Sequence, residues 1–187
     1  MDETTAVQIW LDEGIKPETL NIFGVRWDEE LSALMIPLGN GNYHFRRFDG
    51  NGKKWDFTQR GNSVGIFGRH IPEIIWNINR KNEVIVFESA KSVMKAYGWG
   101  FKNCVALMGG GISPWQLIWL GKLGANIVFA LDKDMKVGEK YVKALRGFCE
   151  KVEFVGGKGL CNGEAPVDKG EEIWRRCYGT RQTDQSG

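Results

Sequence analysis

Two short acidic motifs carry the chemistry this sequence is equipped for. Val84-Ile85-Val86-Phe87 runs straight into Glu88, and Ile127-Val128-Phe129-Ala130-Leu131 runs into Asp132-Lys133-Asp134. Short apolar runs of this kind read as buried strands, so the acids fall at strand ends. In an open parallel α/β sheet, functional groups gather at the carboxyl ends of the strands. Three carboxylates on one rim repel one another unless a cation neutralises them. Hard oxygen ligands that leave room for water suit Mg²⁺ or Mn²⁺. A single acid at a strand end can equally cap the following helix. Two such ends, 44 residues apart, make the stronger pattern.

A second feature is basic. Arg46, Arg47, Lys53, Lys54 and Arg60 are opposed only by Asp49 and Asp56, and are interleaved with Phe45, Phe48, Trp55 and Phe57. Such a stretch suits a surface that meets phosphates and stacks on bases. The plainer reading is a hairpin with one solvated face and one core face, and composition alone favours it. Cys104, Cys149, Cys161 and Cys177 are widely spaced, without a C-x-x-C pair, so no zinc site and free thiols are expected. His44 and His70 have no partner at catalytic spacing and are expected in loops or at the surface.

The elements that must position these residues differ between two regions. Residues 1–80 are short-patterned and turn-rich, with Gly39-Asn40-Gly41-Asn42 and Asp49-Gly50-Asn51-Gly52 as hairpin signals. Strands are expected at 34–38, 43–48 and 55–58, after helices at 4–12 and 16–23, making a small α+β lobe. From about residue 82, buried strands alternate with helices. Strands are expected at 83–87, 104–108, 126–131 and 152–155. Helices are expected at 89–97, 114–123, 137–149 and 168–177, with Ser113 capping the second and Pro114 in its first turn. This alternation implies a parallel sheet covered on both faces. Residues 179–187 are polar and expected to be a disordered tail.

The chain has 187 residues, 42% hydrophobic and 26% charged, with a net charge of +2. These values fit a globular protein with a sizeable core. No run approaches a bilayer span, and the polar residues 1–5 do not resemble a secretory signal. No membrane partner and a cytoplasmic location are expected.

Strand-Glu, helix, strand with a Gly-rich end, helix, and strand ending in Asp-x-Asp is the TOPRIM pattern. Here it reads Val84-Ile85-Val86-Phe87-Glu88, then Ala106-Leu107-Met108-Gly109-Gly110, then Phe129-Ala130-Leu131-Asp132-Lys133-Asp134. The earlier residues resemble a primase in particular. Gly14-Ile15-Lys16-Pro17-Glu18-Thr19-Leu20 with Phe23-Gly24-Val25 is similar to the opening of the primase RNA-polymerase domain. Gly65-Ile66-Phe67-Gly68 looks like the turn that precedes TOPRIM in phage primases. The resemblance spans roughly residues 10–178 and is to the catalytic core of bacterial and phage TOPRIM primases, best to the phage ones.

The fold this implies is α/β: a TOPRIM domain at 81–178, with a Rossmann-like parallel sheet flanked by helices, preceded by a primase lobe at 1–80. The implied activity is synthesis of short RNA primers on single-stranded DNA from ribonucleoside triphosphates. Asp132 and Asp134 would position Mg²⁺ or Mn²⁺. Glu88 would ligate metal directly or through water, or help deprotonate the attacking 3′-hydroxyl. Arg46, Arg47, Lys53, Lys54 and Arg60 would contact nucleotide and template. The implied partners are a replicative helicase and a separate zinc-binding, template-reading domain, neither of which fits in this length.

Two departures stand out. The family's Glu-Gly-x-x-Asp is here Glu88-Ser89-Ala90-Lys91-Ser92, which loses an acid at Ser92 and adds a cation at Lys91. Lys91 either binds phosphate near a helix N-terminus or is a solvated helix residue. The glycine after Asp-x-Asp also comes one residue late, at Gly138. The alternatives are a TOPRIM nuclease and a non-catalytic nucleic-acid-binding module. A haloacid-dehalogenase-type phosphatase fits less well, because its Asp-x-Asp lies near the chain start. A dinucleotide site fits less well too, because Gly109-Gly110-Gly111 lacks the G-x-G-x-x-G spacing.

Overall fold

The computed structural model describes residues 2–39, 41–50, 55–58, 65–109, 111–133, 137–156 and 163–183. Helix α1 (Glu3–Asp12) starts where the Asp2 carboxylate accepts the Thr5 N–H at 2.8 Å, and α2 (Pro17–Ile22) starts on Pro17. An antiparallel sheet follows: β1 (Arg26–Asp28), β2 (Ala33–Gly39), β3 (Asn42–Arg47) and β4 (Trp55–Phe57), in that spatial order. The β2–β3 hairpin closes with Gly39 opposite Asn42, at the first of the two expected turns.

The second sheet has the order β6-β5-β7-β8-β9. It is built from β5 (Glu83–Phe87), β6 (Cys104–Ala106), β7 (Asn126–Phe129), β8 (Val152–Phe154) and β9 (Gln182–Thr183). The first four are parallel and the last is antiparallel to β8. The connecting helices are α4 (Ala90–Gly98), α5 (Pro114–Leu123) and α6 (Glu139–Leu145). A 3-10 turn (Pro166–Lys169) and α7 (Glu171–Gly179) then pack beside α4. Right-handed crossovers put α4 on one face and α5 and α6 on the other, because the chain reverses its direction across the sheet after β6. The α/β class and the parallel sheet are as the strand pattern predicts.

The two sheets share one hydrophobic core. Its hinge is aromatic: Phe23 stacks on Phe67 at 5.0 Å and meets Tyr97 edge-on at 5.2 Å. Phe67 also forms an antiparallel bridge to Ala106, exchanging both hydrogen bonds. Gly68 follows with φ +88°, and a Cβ there would stand 3.1 Å from Ile74 and 3.2 Å from the Cys104 carbonyl. Only glycine lets the chain turn that tightly against β6.

Three elements escape the sequence pattern. One is β1. Another is α3 (Pro72–Lys81), which carries Pro72 in its first turn and is closed by Asn82 in the left-handed region at φ 51°. The third is β9, which corrects the expected tail: residues 180–183 are placed, and 184–187 lie outside the described residues. Arg181 reaches Glu83 at 3.0 Å and Glu153 at 2.9 Å, and the Tyr178 hydroxyl donates to Glu83. That cluster ties the chain end to the amino-terminal rim of the sheet. Among the described residues, no helix is long and apolar enough to cross a membrane.

His44 is also corrected. It is not in a loop but inside β3, 6% exposed and stacked on Phe57 at 4.3 Å. Burial pushes its imidazole down from 6.5 to about 4, against a smaller upward pull from Asp56. The fold therefore holds the neutral ring, and between these two values the unfolded chain binds the extra proton. Stability from this residue is full above about pH 6.5 and falls as the pH drops towards 4, by roughly 3 kcal/mol in all. Chemical denaturation at about pH 7.5 and about pH 4.5 should show this loss in the wild type and a smaller one in His44→Phe.

Candidate functional site

Parallel pairing brings the two acidic motifs together. Val86 lies opposite Phe129, and Ala130 N–H donates to the Val86 carbonyl at 2.9 Å, carrying the pairing one residue beyond β7. Glu88 and Asp132 therefore leave the sheet side by side, at the carboxyl ends of β5 and β7. With β5 between β6 and β7, this is also the point where the strand order reverses, the place where open α/β sheets bind ligands. Both acids line one cavity of about 380 Å³. Ile36, His44 and Phe57 of the antiparallel sheet form its opposite wall.

The Glu88 backbone is fixed by a strained neighbour. Met108 has φ 63°, in the left-handed region that bulky residues avoid, at a cost of about 1–2 kcal/mol. In that conformation its N–H donates to the Glu88 carbonyl at 2.8 Å, following Leu107 N–H to the Phe87 carbonyl at 3.0 Å. Met108 and Gly109 then face the cavity. Buried Gln116 holds the loop from behind. Its amide donates to the carbonyls of Leu107 at 2.7 Å and Gly65 at 2.8 Å, and its oxygen accepts Ser113 N–H in the capping box of α5. The cap expected from Ser113 and Pro114 thus also braces the rim.

Asp132 is anchored on its other side, where Lys133 N–H donates to the Glu164 carbonyl at 3.0 Å. This brings the 163–168 segment to the cavity, and with it Gly163 and Asp168. Sequence reading places Asp168 at a helix start and gives it no role. In the structure it sits in the 3-10 turn, where its Oδ2 accepts Ala165 N–H at 3.0 Å and its Oδ1 meets the Lys95 ammonium at 3.1 Å. No spacing signal links residues 95 and 168; only the packing of α4 against this turn does.

Ser92, where the family pattern has an acid, is buried. Its hydroxyl lies 3.0 Å from that of Ser89, which also caps α4 by accepting Ser92 N–H at 3.2 Å. Lys91 lines the cavity and is ion-paired at 2.6 Å with Glu13, at the end of α1. Glu13 also exerts an upward pull on the Arg46 guanidinium, which burial shifts down. Arg46 lies over the Phe48 ring at 4.7 Å, and Arg47 pairs with Asp49 at 2.8 Å. Arg46 shares the strand face of His44, two residues away, and so faces the cavity side; Arg47 faces the other way. Lys53, Lys54, Arg60 and Asp134 lie outside the described residues.

Among the described residues, no three His, Cys, Asp or Glu side chains form a complete metal site. The donors around this cavity are nonetheless carboxylates from separate elements, all hard oxygens. A donor set of two such groups fits Mg²⁺, which commonly keeps waters and takes further ligands from substrate phosphates.

No protein-family model and no curated protein matches this sequence. Solved structures do. The zinc-binding and RNA-polymerase domains of the Aquifex aeolicus primase superpose with a TM-score of 0.74 at 17% identity, over 96% of this chain and 56% of that one. The RNA-polymerase domain of Mycobacterium tuberculosis primase DnaG, in complex with a double-stranded DNA oligomer with a 6-nucleotide overhang, gives 0.70 at 16% identity, over 95% and 73%. A DnaG primase catalytic domain bound to single-stranded DNA gives 0.68 at 13%, over 98% and 76%. This chain spans little more than half of the first of these. At such identities the likeness is one of architecture: the chain has the fold of the catalytic core of bacterial primases.

Proposed function

We propose that this chain is the catalytic core of a DNA primase, joining ribonucleotides into short RNA primers on single-stranded DNA. One observation carries the reading: Glu88 and Asp132, from adjacent parallel strands, face a single cavity whose far wall belongs to the primase-like lobe. The solved structures that match the lobe together with the parallel sheet are primase cores, which favours this reading over a nuclease or a binding module of the same TOPRIM type.

In this reading Glu88, Asp132 and Asp134 would hold Mg²⁺ or Mn²⁺, which would supply charge neutralisation on the attacking and leaving oxygens. The chain's own residues do the rest. The Met108 to Glu88 hydrogen bond sets the carboxylate's position before substrate arrives. Arg46, and Lys91 once Glu13 yields it, take nucleotide phosphates, and Lys53, Lys54 and Arg60 would contact nucleotide and template. The apolar wall of Ile36 and Phe57 keeps water from the reacting oxygens. A replicative helicase and a separate zinc-binding domain are the partners this core requires.

Asp132→Ala should abolish oligoribonucleotide synthesis on single-stranded DNA, with a zinc-binding domain supplied in trans. It should leave the metal-free melting temperature within about 2 °C of wild type. Activity that survives the substitution refutes the assignment, and cleavage of the DNA without RNA product moves the chain to the nuclease alternative. Glu13→Gln should tighten binding of a non-hydrolysable ribonucleoside triphosphate by roughly 2- to 5-fold, because the phosphate no longer competes with a carboxylate for Lys91. Calorimetric titration measures that change directly.

A further inference from the structure

Lys95 is the least expected side chain in the molecule. It lies on α4, one turn beyond the lysine that faces the cavity, and its own side chain is 6% exposed. Among the described residues its ammonium has one partner, Asp168. Buried ion pairs are poor stabilisers, and apolar residues of similar size often serve the fold as well or better. Stability therefore gives no account of why a lysine should stand here. The position of its partner does. Asp168 lines the cavity with Glu88 and Asp132, so the pair brings a third carboxylate to a rim where like charges already meet.

The carboxylate is aimed as well as neutralised. One oxygen takes the Lys95 ammonium and the other takes Ala165 N–H. Each oxygen keeps a lone pair in reserve, which leaves acceptor capacity towards the cavity. Asp168 does not complete a three-acid metal site with Glu88 and Asp132; it adds its charge to the same cavity, opposed from behind by Lys95.

We propose that Lys95 is a positioning residue that acts through Asp168. Its ammonium is a built-in counter-cation that holds a third carboxylate at the rim without a metal ion of that carboxylate's own, and it weakens the site's pull on divalent cations. This rests on the metal-centre reading given above. Lys95→Met exposes the full Asp168 charge to the cavity. The Mn²⁺ concentration that half-saturates the rise in melting temperature of the full chain should then fall about tenfold. Lys95→Arg, which keeps the charge, should stay near the wild type.

Because Lys95→Met leaves a carboxylate poorly compensated, a second comparison ends on a variant from which both charges are removed together. Asp168→Asn leaves the Lys95 charge unopposed and should raise the half-saturating Mn²⁺ concentration. Lys95→Met/Asp168→Asn should bring it back towards the wild type. Equal Mn²⁺ dependence in Asp168→Asn and the double variant makes Lys95 merely structural and overturns the proposal, with the metal-centre reading intact. If Mn²⁺ shifts neither the wild type nor Lys95→Met, the metal centre itself is wrong and the proposal falls with it.

Discussion

The rest of the molecule depends on parallel pairing between β5 and β7. Extended strands of unrelated sequence are locked so that Val86 faces Phe129, and the acid that ends each run is carried to the same edge. The fold pays for that coincidence in electrostatic repulsion, since two carboxylates leave the sheet together. What surrounds them is arranged accordingly. The Met108 backbone is held in an unfavourable conformation to grip Glu88, and Glu164 accepts a hydrogen bond from the residue after Asp132.

The antiparallel lobe is positioned by a different force. Phe23, Phe67 and Tyr97 join the two sheets through apolar contact, and the Phe67 to Ala106 bridge adds backbone hydrogen bonds at the edge of β6. This contact sets the distance between the acidic rim and the wall formed by Ile36, His44 and Phe57. Polar groups then decide what meets across the gap. Glu13 comes from the lobe and Lys91 from the parallel region, and their ion pair is half exposed, so it is weak and exchangeable. Strong apolar contact holds the frame, and a weak ionic contact stands at the cavity between the two sheets.

Much of this frame is legible in the sequence because it follows short-range rules. Glu83–Phe87 is a run of apolar residues ending in an acid, and its bounds match the expected strand. Ser113, Pro114 and Gln116 signal the start of α5 as directly. Other features depend on distant partners and leave no local mark. Residues 180–183 read as a polar tail, yet Arg181 and Tyr178 find Glu83 nearly a hundred residues away. His44 alternates with aromatic and basic neighbours and looks solvated, but pairing of β3 between β2 and β4 buries it. α3 was open to prediction from its leading proline and the apolar spacing of Ile74, Ile75 and Ile78. Asp168 and Lys95 were not, since one lies in a 3-10 turn and the other on a helix face that reads as solvated.

The charges around the cavity are paired across elements rather than left to accumulate. Lys91 is matched by Glu13 and Lys95 by Asp168. If this chain takes a polyanion as proposed, its net charge of +2 generates little long-range attraction, and steering would come from local charge such as Arg46. Pairing sharpens that dependence. In the proposed reading, Glu13 screens Lys91 until a phosphate displaces it. The two pairs nearest the rim differ in this respect. Glu13 is exposed enough to move away from Lys91, whereas buried Lys95 has no route to solvent and keeps Asp168 where it is. In the proposed reading, the more exposed Lys91–Glu13 pair is the one a ligand would exchange with, and the buried Lys95–Asp168 pair the one that would stay in place.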